Sequence, residues 1–341
     1  MLRFACDYQE GCIPEILERL NDVNLEASPG YGEDEYCRRA RDVVREAVGN
    51  PEARVMFFIG GTQTNSIVIH GLLRSYEGVL SAETGHVCGH EAGAVEAKGH
   101  KVLVLPQKEG KITAESIRRY MNGWRADESR THIVKPGMVY VSQPTEYGTL
   151  YSKAELEAIS AVCREENLYL YVDGARLAYA LGSPENDVTL KDLARLADVF
   201  YIGGTKCGAL LGEAVVVNRP DVLPEFFTLM KQQGAVLAKS RLLGISFETL
   251  LTDGRYEALG RRAVALAQRL QDAFVEHGYE LAMRSPTNQI FVVMTKKERD
   301  RLRQWAAFET WETRPDGRVV CRFVTSWATP EAAVEEITKR L

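Results

Sequence analysis

Seven short apolar runs, separated by segments of helical periodicity, constrain this chain more than any other feature. They read as strands at Val55–Ile59, Gly78–Ser81, Lys101–Leu105, Met138–Ser142, Leu168–Val172, Val199–Gly203 and Glu213–Val217. A run such as Leu168-Tyr169-Leu170-Tyr171-Val172 has no polar alternation, so both faces are buried, as in a parallel sheet covered by helices. The intervening segments supply the helices, for example Lys153 to Val162 with its charges on one face. Right-handed crossovers then imply an α/β fold with a mostly parallel sheet and helices on both sides. After about Ser246 the pattern changes to a long helix, Tyr256–Glu276, and strands at Gln289–Met294 and within Arg318–Trp327. A last helix is expected with Thr329 as its cap, Pro330 at its first position and Glu331 near its positive end. The expected division is a large domain at 1–245 and a smaller α+β domain at 246–341.

Ligands of such sheets bind beyond the carboxyl ends of the strands, and three features fall there. One strand stops at Asp173, followed by Gly174-Ala175-Arg176; another runs into Gly204-Thr205-Lys206. The first strand opens into Gly60-Gly61-Thr62-Gln63-Thr64-Asn65 and then a helix. Glycines let a phosphate approach the first helical amides, and the Thr62 and Thr64 hydroxyls can donate further bonds. This is not a dinucleotide fingerprint, because the third glycine is missing. Alone, Lys206 reads as a loop lysine and Asp173 as a helix cap. With the phosphate loop, they supply what pyridoxal 5′-phosphate needs: a Schiff-base amine, and a carboxylate that keeps the ring nitrogen protonated.

The order Gly61-Thr62-x-x-Asn65, His86-x-x-x-x-Glu91-Ala92-Gly93-Ala94, Asp173-Gly174-Ala175-Arg176 and Thr205-Lys206 resembles the low-specificity L-threonine aldolases. These are fold-type I pyridoxal phosphate enzymes of the β-eliminating lyase group. Tyr31-Gly32-Glu33-Asp34 and Arg322-Phe323-Val324-Thr325 match further family segments, so the resemblance runs from about Phe4 to the C-terminus. It implies retro-aldol cleavage of a 3-hydroxy-α-amino acid to glycine and an aldehyde. The implied cofactor-binding residues are Gly61, Thr62, Gln63, His86, Asp173, Arg176, Thr205 and Lys206. Catalysis is implied for Lys206, Asp173, His86 stacked on the ring and His132 near the substrate, with either histidine as candidate base. Cys6, Tyr31, Arg176 and Arg322 are implied at the substrate, the two guanidiniums forking onto its carboxylate. The chain departs from the family at Cys6, where a serine is usual, and in the loop Gln143–Gly148. A thiol bonds a carboxylate less well than a hydroxyl does.

His86 and His90 lie four apart beside Glu91, a metal-like spacing, but no third ligand is evident and no metal is expected. An aminotransferase or desulfurase of the same fold would share Lys206 and Asp173, and a non-catalytic small-molecule sensor on this scaffold stays open. Products separate them: glycine plus aldehyde, a keto acid, or none. A desulfurase needs a mobile nucleophilic cysteine, whereas Cys207 is pinned beside Lys206 and Cys321 is on a strand. A net charge of −5 favours neither nucleic acid nor an anionic membrane as partner. Seven scattered cysteines without Cys-x-x-Cys spacing, an acid at Asp7 where a signal peptide is apolar, and no run of ~20 apolar residues imply a cytoplasmic protein. The family's habit implies a homodimer or homotetramer with shared active sites, to which the basic stretch Lys231–Arg241 would contribute.

Overall fold

The computed structural model describes residues 1–341. All seven expected strands form and join one sheet: β1 (Arg54–Phe58), β2 (Glu77–Ala82), β3 (Val102–Leu105), β4 (Lys135–Ser142), β5 (Tyr169–Asp173), β6 (Val199–Gly203) and β7 (Glu213–Val217). Their order in space is β1-β7-β6-β5-β4-β2-β3. Strands β6, β5, β4, β2 and β3 are mutually parallel, whereas β7 is antiparallel to both β6 and β1. The cause is the connection after β6. Residues 204–212 are too few for a parallel crossover, which needs about a dozen residues or more.

This reversal decides what the ligand-binding rim contains. Glu213, the first residue of β7, pairs with Gly203 and Phe58, the last residues of its neighbours. Ser142 and Asp173 pair at the same rim. Every residue of β2, β6 and β7 is buried, as uninterrupted apolar strands require. One face carries Val139, Val141, Leu170, Val172, Phe200 and Ile202 in the larger core. The other carries Tyr140, Tyr171, Tyr201 and Phe58 against the helix α1 (Gly61–Leu72). A short helix, α2 (His86–Gly89), follows β2, and α3 (Lys153–Glu166) begins with a capping box between Ser152 and Glu155.

The smaller sheet has strands β8 (Glu280–Met283), β9 (Gln289–Met294), β10 (Glu309–Thr313) and β11 (Val319–Val324), in the antiparallel order β10-β11-β9-β8. Helices α4 (Arg255–Glu276) and α5 (Glu331–Thr338) cover it around Leu270, Phe274, Ile290, Phe323 and Ile337. Phe4 lies in this core too, because Leu2–Arg3 pairs with Ala306–Ala307. The chain therefore starts in a two-stranded ribbon against the core of the small sheet before it enters the large one. A helix at Arg241–Leu251 runs through position 245/246 and packs on the helix Glu35–Val48. The expected start of the last helix is corrected by one residue: Pro330 is its N-cap, and the Thr329 hydroxyl accepts the Ser326 amide instead of capping the helix. No helix is long and apolar enough to cross a membrane.

Candidate active site

A cleft of about 620 Å³ opens at the carboxyl rim of the large sheet, walled on one side by β10 and β11. The strand ends converge there because parallel strands all finish at one edge. Gly61, Thr62, His86, Asp173, Arg176, Thr205, Lys206 and Arg322 all line it. Eight residues spread across the sequence thus meet in one place.

The floor is Asp173, which is buried. Its Oδ2 accepts Tyr140 Oη at 2.5 Å and Asn65 Nδ2 at 3.0 Å. Its Oδ1 accepts Tyr201 Oη at 2.5 Å and the Ala175 amide at 2.9 Å. Burial alone would raise this carboxyl, but the two tyrosine hydroxyls, His86 and the Ala175 amide outweigh it and hold the acid below its ordinary value. It is therefore an anion at neutral pH. Lys206 is lowered too: burial and the Arg176 guanidinium reduce its basicity, against the pull of Asp7 and Asp173.

At the entrance of α1 the first helical bond runs from the Thr64 amide to Gly60 O. The amides of Gly61, Thr62 and Gln63 ahead of it have no carbonyl partner, which is the donor set an anion needs. A Cβ on Gly61 would stand 3.3 Å from Tyr201 Oη, so the backbone sits where only glycine fits comfortably. Donors for a phosphate, a buried anion for a ring nitrogen and an amine of lowered basicity all face one cleft, so the residues fit pyridoxal phosphate. Two side chains expected to help do not. The Thr64 hydroxyl turns back to Gly60 O, and Gln63 Oε1 accepts the Ile59 amide at 3.4 Å, outside the cleft.

His86 caps the opposite wall. Its amide donates to Glu146 Oε1 at 2.9 Å, and its Nδ1 lies 2.8 Å from Glu91 Oε1. Asn65 Nδ2 also donates to that oxygen, at 2.7 Å, linking Glu91 to Asp173. With Nδ1 engaged by a carboxylate, the free ring nitrogen is Nε2. His90 is 5.8 Å from His86 ring to ring and stacks toward Trp311 instead of forming a ligand pair.

Three expected residues are placed elsewhere. His132 is exposed at the start of β4, whose eight residues set it about 26 Å from the cleft rim at roughly 3.3 Å per residue. Within one chain, a histidine before a strand does not reach that strand's far end. Tyr31 is exposed on another flank, its ring 4.0 Å from Lys231 Nζ, so within one chain it does not reach the cleft. Cys6 is half-buried beside Tyr8 and does not line the cleft. Cys207 is buried with its thiol toward Ala175 O, out of reach as a nucleophile. Arg176 reaches the cleft, but its Nε and Nη2 fork onto Asp7 at 2.8 and 3.1 Å, leaving Nη1.

Other residues of the site escaped the sequence reading. Tyr140 and Tyr201 stand two positions before the ends of β4 and β6, on the face that Asp173 presents; the period of two could have revealed them. Glu213 opens an otherwise apolar buried strand, itself a clue. Glu309 and Trp311 lie on an edge strand whose register shifts between Thr310 and Glu312, and nothing local announces them. Glu146, in the departing loop, turns inward to Ser142 Oγ and the His86 amide.

The model of the beta-eliminating lyase family matches residues 4–297. A low-specificity L-threonine aldolase of a Pseudomonas species is 34% identical over 98% of this chain and 95% of its own length. The chain belongs to the low-specificity L-threonine aldolase family. It is a pyridoxal-phosphate-dependent lyase of fold type I. The threonine aldolase of Leishmania major superposes with a TM-score of 0.97 at 40% identity, over 100% of this chain and 98% of that one. An aspartate aminotransferase of Thermus thermophilus, at 16% identity and TM-score 0.71, shares the fold over 99% and 95% of the two chains.

Proposed function

We propose that the protein cleaves a 3-hydroxy-α-amino acid of the threonine type to glycine and an aldehyde. The observation that carries this reading is the convergence of Lys206, Asp173, His86 and Arg322 on one cleft in a chain of this family. When bound, pyridoxal phosphate supplies the electron sink for the carbanion left at Cα as the Cα–Cβ bond breaks. Asp173 holds a fixed negative charge at the cleft floor, which would keep a pyridinium nitrogen protonated there. Lys206 is the amine that would hold the cofactor, and its lowered basicity favours the neutral, nucleophilic form. Arg322, with the remaining Nη1 of Arg176, holds the α-carboxylate. The β-hydroxyl proton passes to Nε2 of His86, and the Glu91 carboxylate on Nδ1 orients that ring. His86 takes this role over His132, which lies at the far end of β4.

The setting we infer is cytoplasmic, supported by seven free cysteines, and the assembly a homodimer or homotetramer. Incubation with threonine and allo-threonine tests the reaction: wild type releases glycine and acetaldehyde, and His86→Phe, which keeps a flat ring but cannot carry a proton, loses turnover by about 10²–10⁴-fold while still binding glycine. A keto acid product, or full activity in His86→Phe, would overturn the reaction or the base respectively.

A further inference from the structure

Each guanidinium in the cleft is already paired with a carboxylate of the chain. Arg176 is forked onto Asp7. Arg322 donates from Nη1 to Gln289 Oε1 at 3.0 Å and from Nη2 to the Glu309 carboxylate. Its flat face lies 4.8 Å from the centroid of Trp311. The register of β10 against β11 sets Glu309 directly opposite Arg322, so the pairing is built into the sheet.

The two ion pairs differ in what can move. Asp7 is buried and also accepts Asn288 Nδ2 at 2.9 Å, so leaving Arg176 would strand both. Glu309 makes no other hydrogen bond, and its side chain is 42% exposed against 10% for Arg322. The acid can rotate into water at small cost while the guanidinium stays clamped between Gln289 and Trp311. The remaining acids of the cleft wall are anchored. Asp173 holds two tyrosines, Glu146 holds Ser142 and the His86 amide, and Glu213 accepts the Gly204 amide at 3.1 Å.

We propose that Glu309 is a gate on the carboxylate seat: it fills the seat of the substrate carboxylate on Arg322 and vacates it when an amino acid enters. The proposal rests on the reading that Arg322 binds the α-carboxylate. Glu309 then sets substrate affinity by competition, and it excludes weakly acidic molecules that cannot displace it. Substrate selection at this position is a contest between two carboxylates for one guanidinium.

The test uses the holoenzyme with Glu309→Gln, Glu309→Ala and Arg322→Lys, each checked for an unchanged melting profile. Threonine cleavage gives KM and kcat, and the cofactor's absorbance gives the dissociation constant of glycine. Both Glu309 variants should bind glycine more tightly and show a lower KM by about two- to fivefold, the size expected for removing a partly exposed ion pair. Arg322→Lys should raise both constants. If Arg322→Lys leaves both unchanged, the carboxylate reading itself fails. If Arg322→Lys raises them but the Glu309 variants raise them too, or leave them unchanged, Glu309 merely positions Arg322 and the gate is overturned.

Discussion

Asp7 shows how much one residue can join. It follows a two-residue strand paired with Ala306–Ala307, yet its carboxylate is buried between Arg176, after a strand of the large sheet, and Asn288, before a strand of the small one. Burial would raise this acid, but Arg176 and Lys206 outweigh burial and keep it below its ordinary value. Asp7→Ala would leave a guanidinium of 11% side-chain exposure without its counter-charge. Breaking a buried pair from one side costs about 3–5 kcal/mol, so the urea midpoint should fall with the slope unchanged. A loss below about 1 kcal/mol, the size of an exposed pair, would contradict this placement.

At the scale of an element, β7 governs the chemistry of the rim. Because it runs against its neighbours, its first residue arrives where theirs end, and a carboxyl is buried beside Lys206. Burial pushes Glu213 up to about 8, with Lys206 and the Gly204 amide pulling the other way. Between the ordinary value of a glutamate and about 8, the unfolded chain has lost this proton and the folded one keeps it. Stability therefore falls as pH rises across that window. Glu213→Gln cannot titrate. The melting temperature of the cofactor-free variant should gain on wild type progressively from about pH 5 to about pH 8. A difference independent of pH would show that Glu213 is ionised in the fold.

At the scale of the whole molecule, large apolar side chains stand exposed at the cofactor loop and on the flank around Tyr31. Ile59, which leads into the cofactor loop, is 44% exposed, and Tyr31 and Phe227 are 43% and 44% exposed. Lys231 and Lys239 are exposed on the adjoining stretch. Tyr31, implied at the substrate, does not reach its own cleft. A second copy docked on this flank would cover these side chains and bring such residues to its partner's site. Light scattering should report at least a dimer, and specific activity should fall on dilution into monomers. Fully active monomers would refute a shared site.

The strands, their order in the chain and the rim they end on were legible in the sequence, because uninterrupted apolar runs have only one stable setting, between two layers of helix. Asp173, Lys206 and the Gly60–Thr62 turn were legible for the same reason: a polar group at the end of such a run faces the ligand edge. Arg322 and His86 came through the family resemblance, and the fold brought them to that edge. What the sequence could not yield is which partner each group holds. Asp7 on Arg176, Glu91 on His86, Glu309 on Arg322 and the tyrosines on Asp173 are pairs remote in sequence or separated by a turn. His132 shows the converse, since a motif match does not say at which end of a strand a residue lies. Periodicity reports the face a side chain presents to its own element; only the packing of elements decides which charges meet, and those meetings set the protonation and the freedom of every group in the cleft.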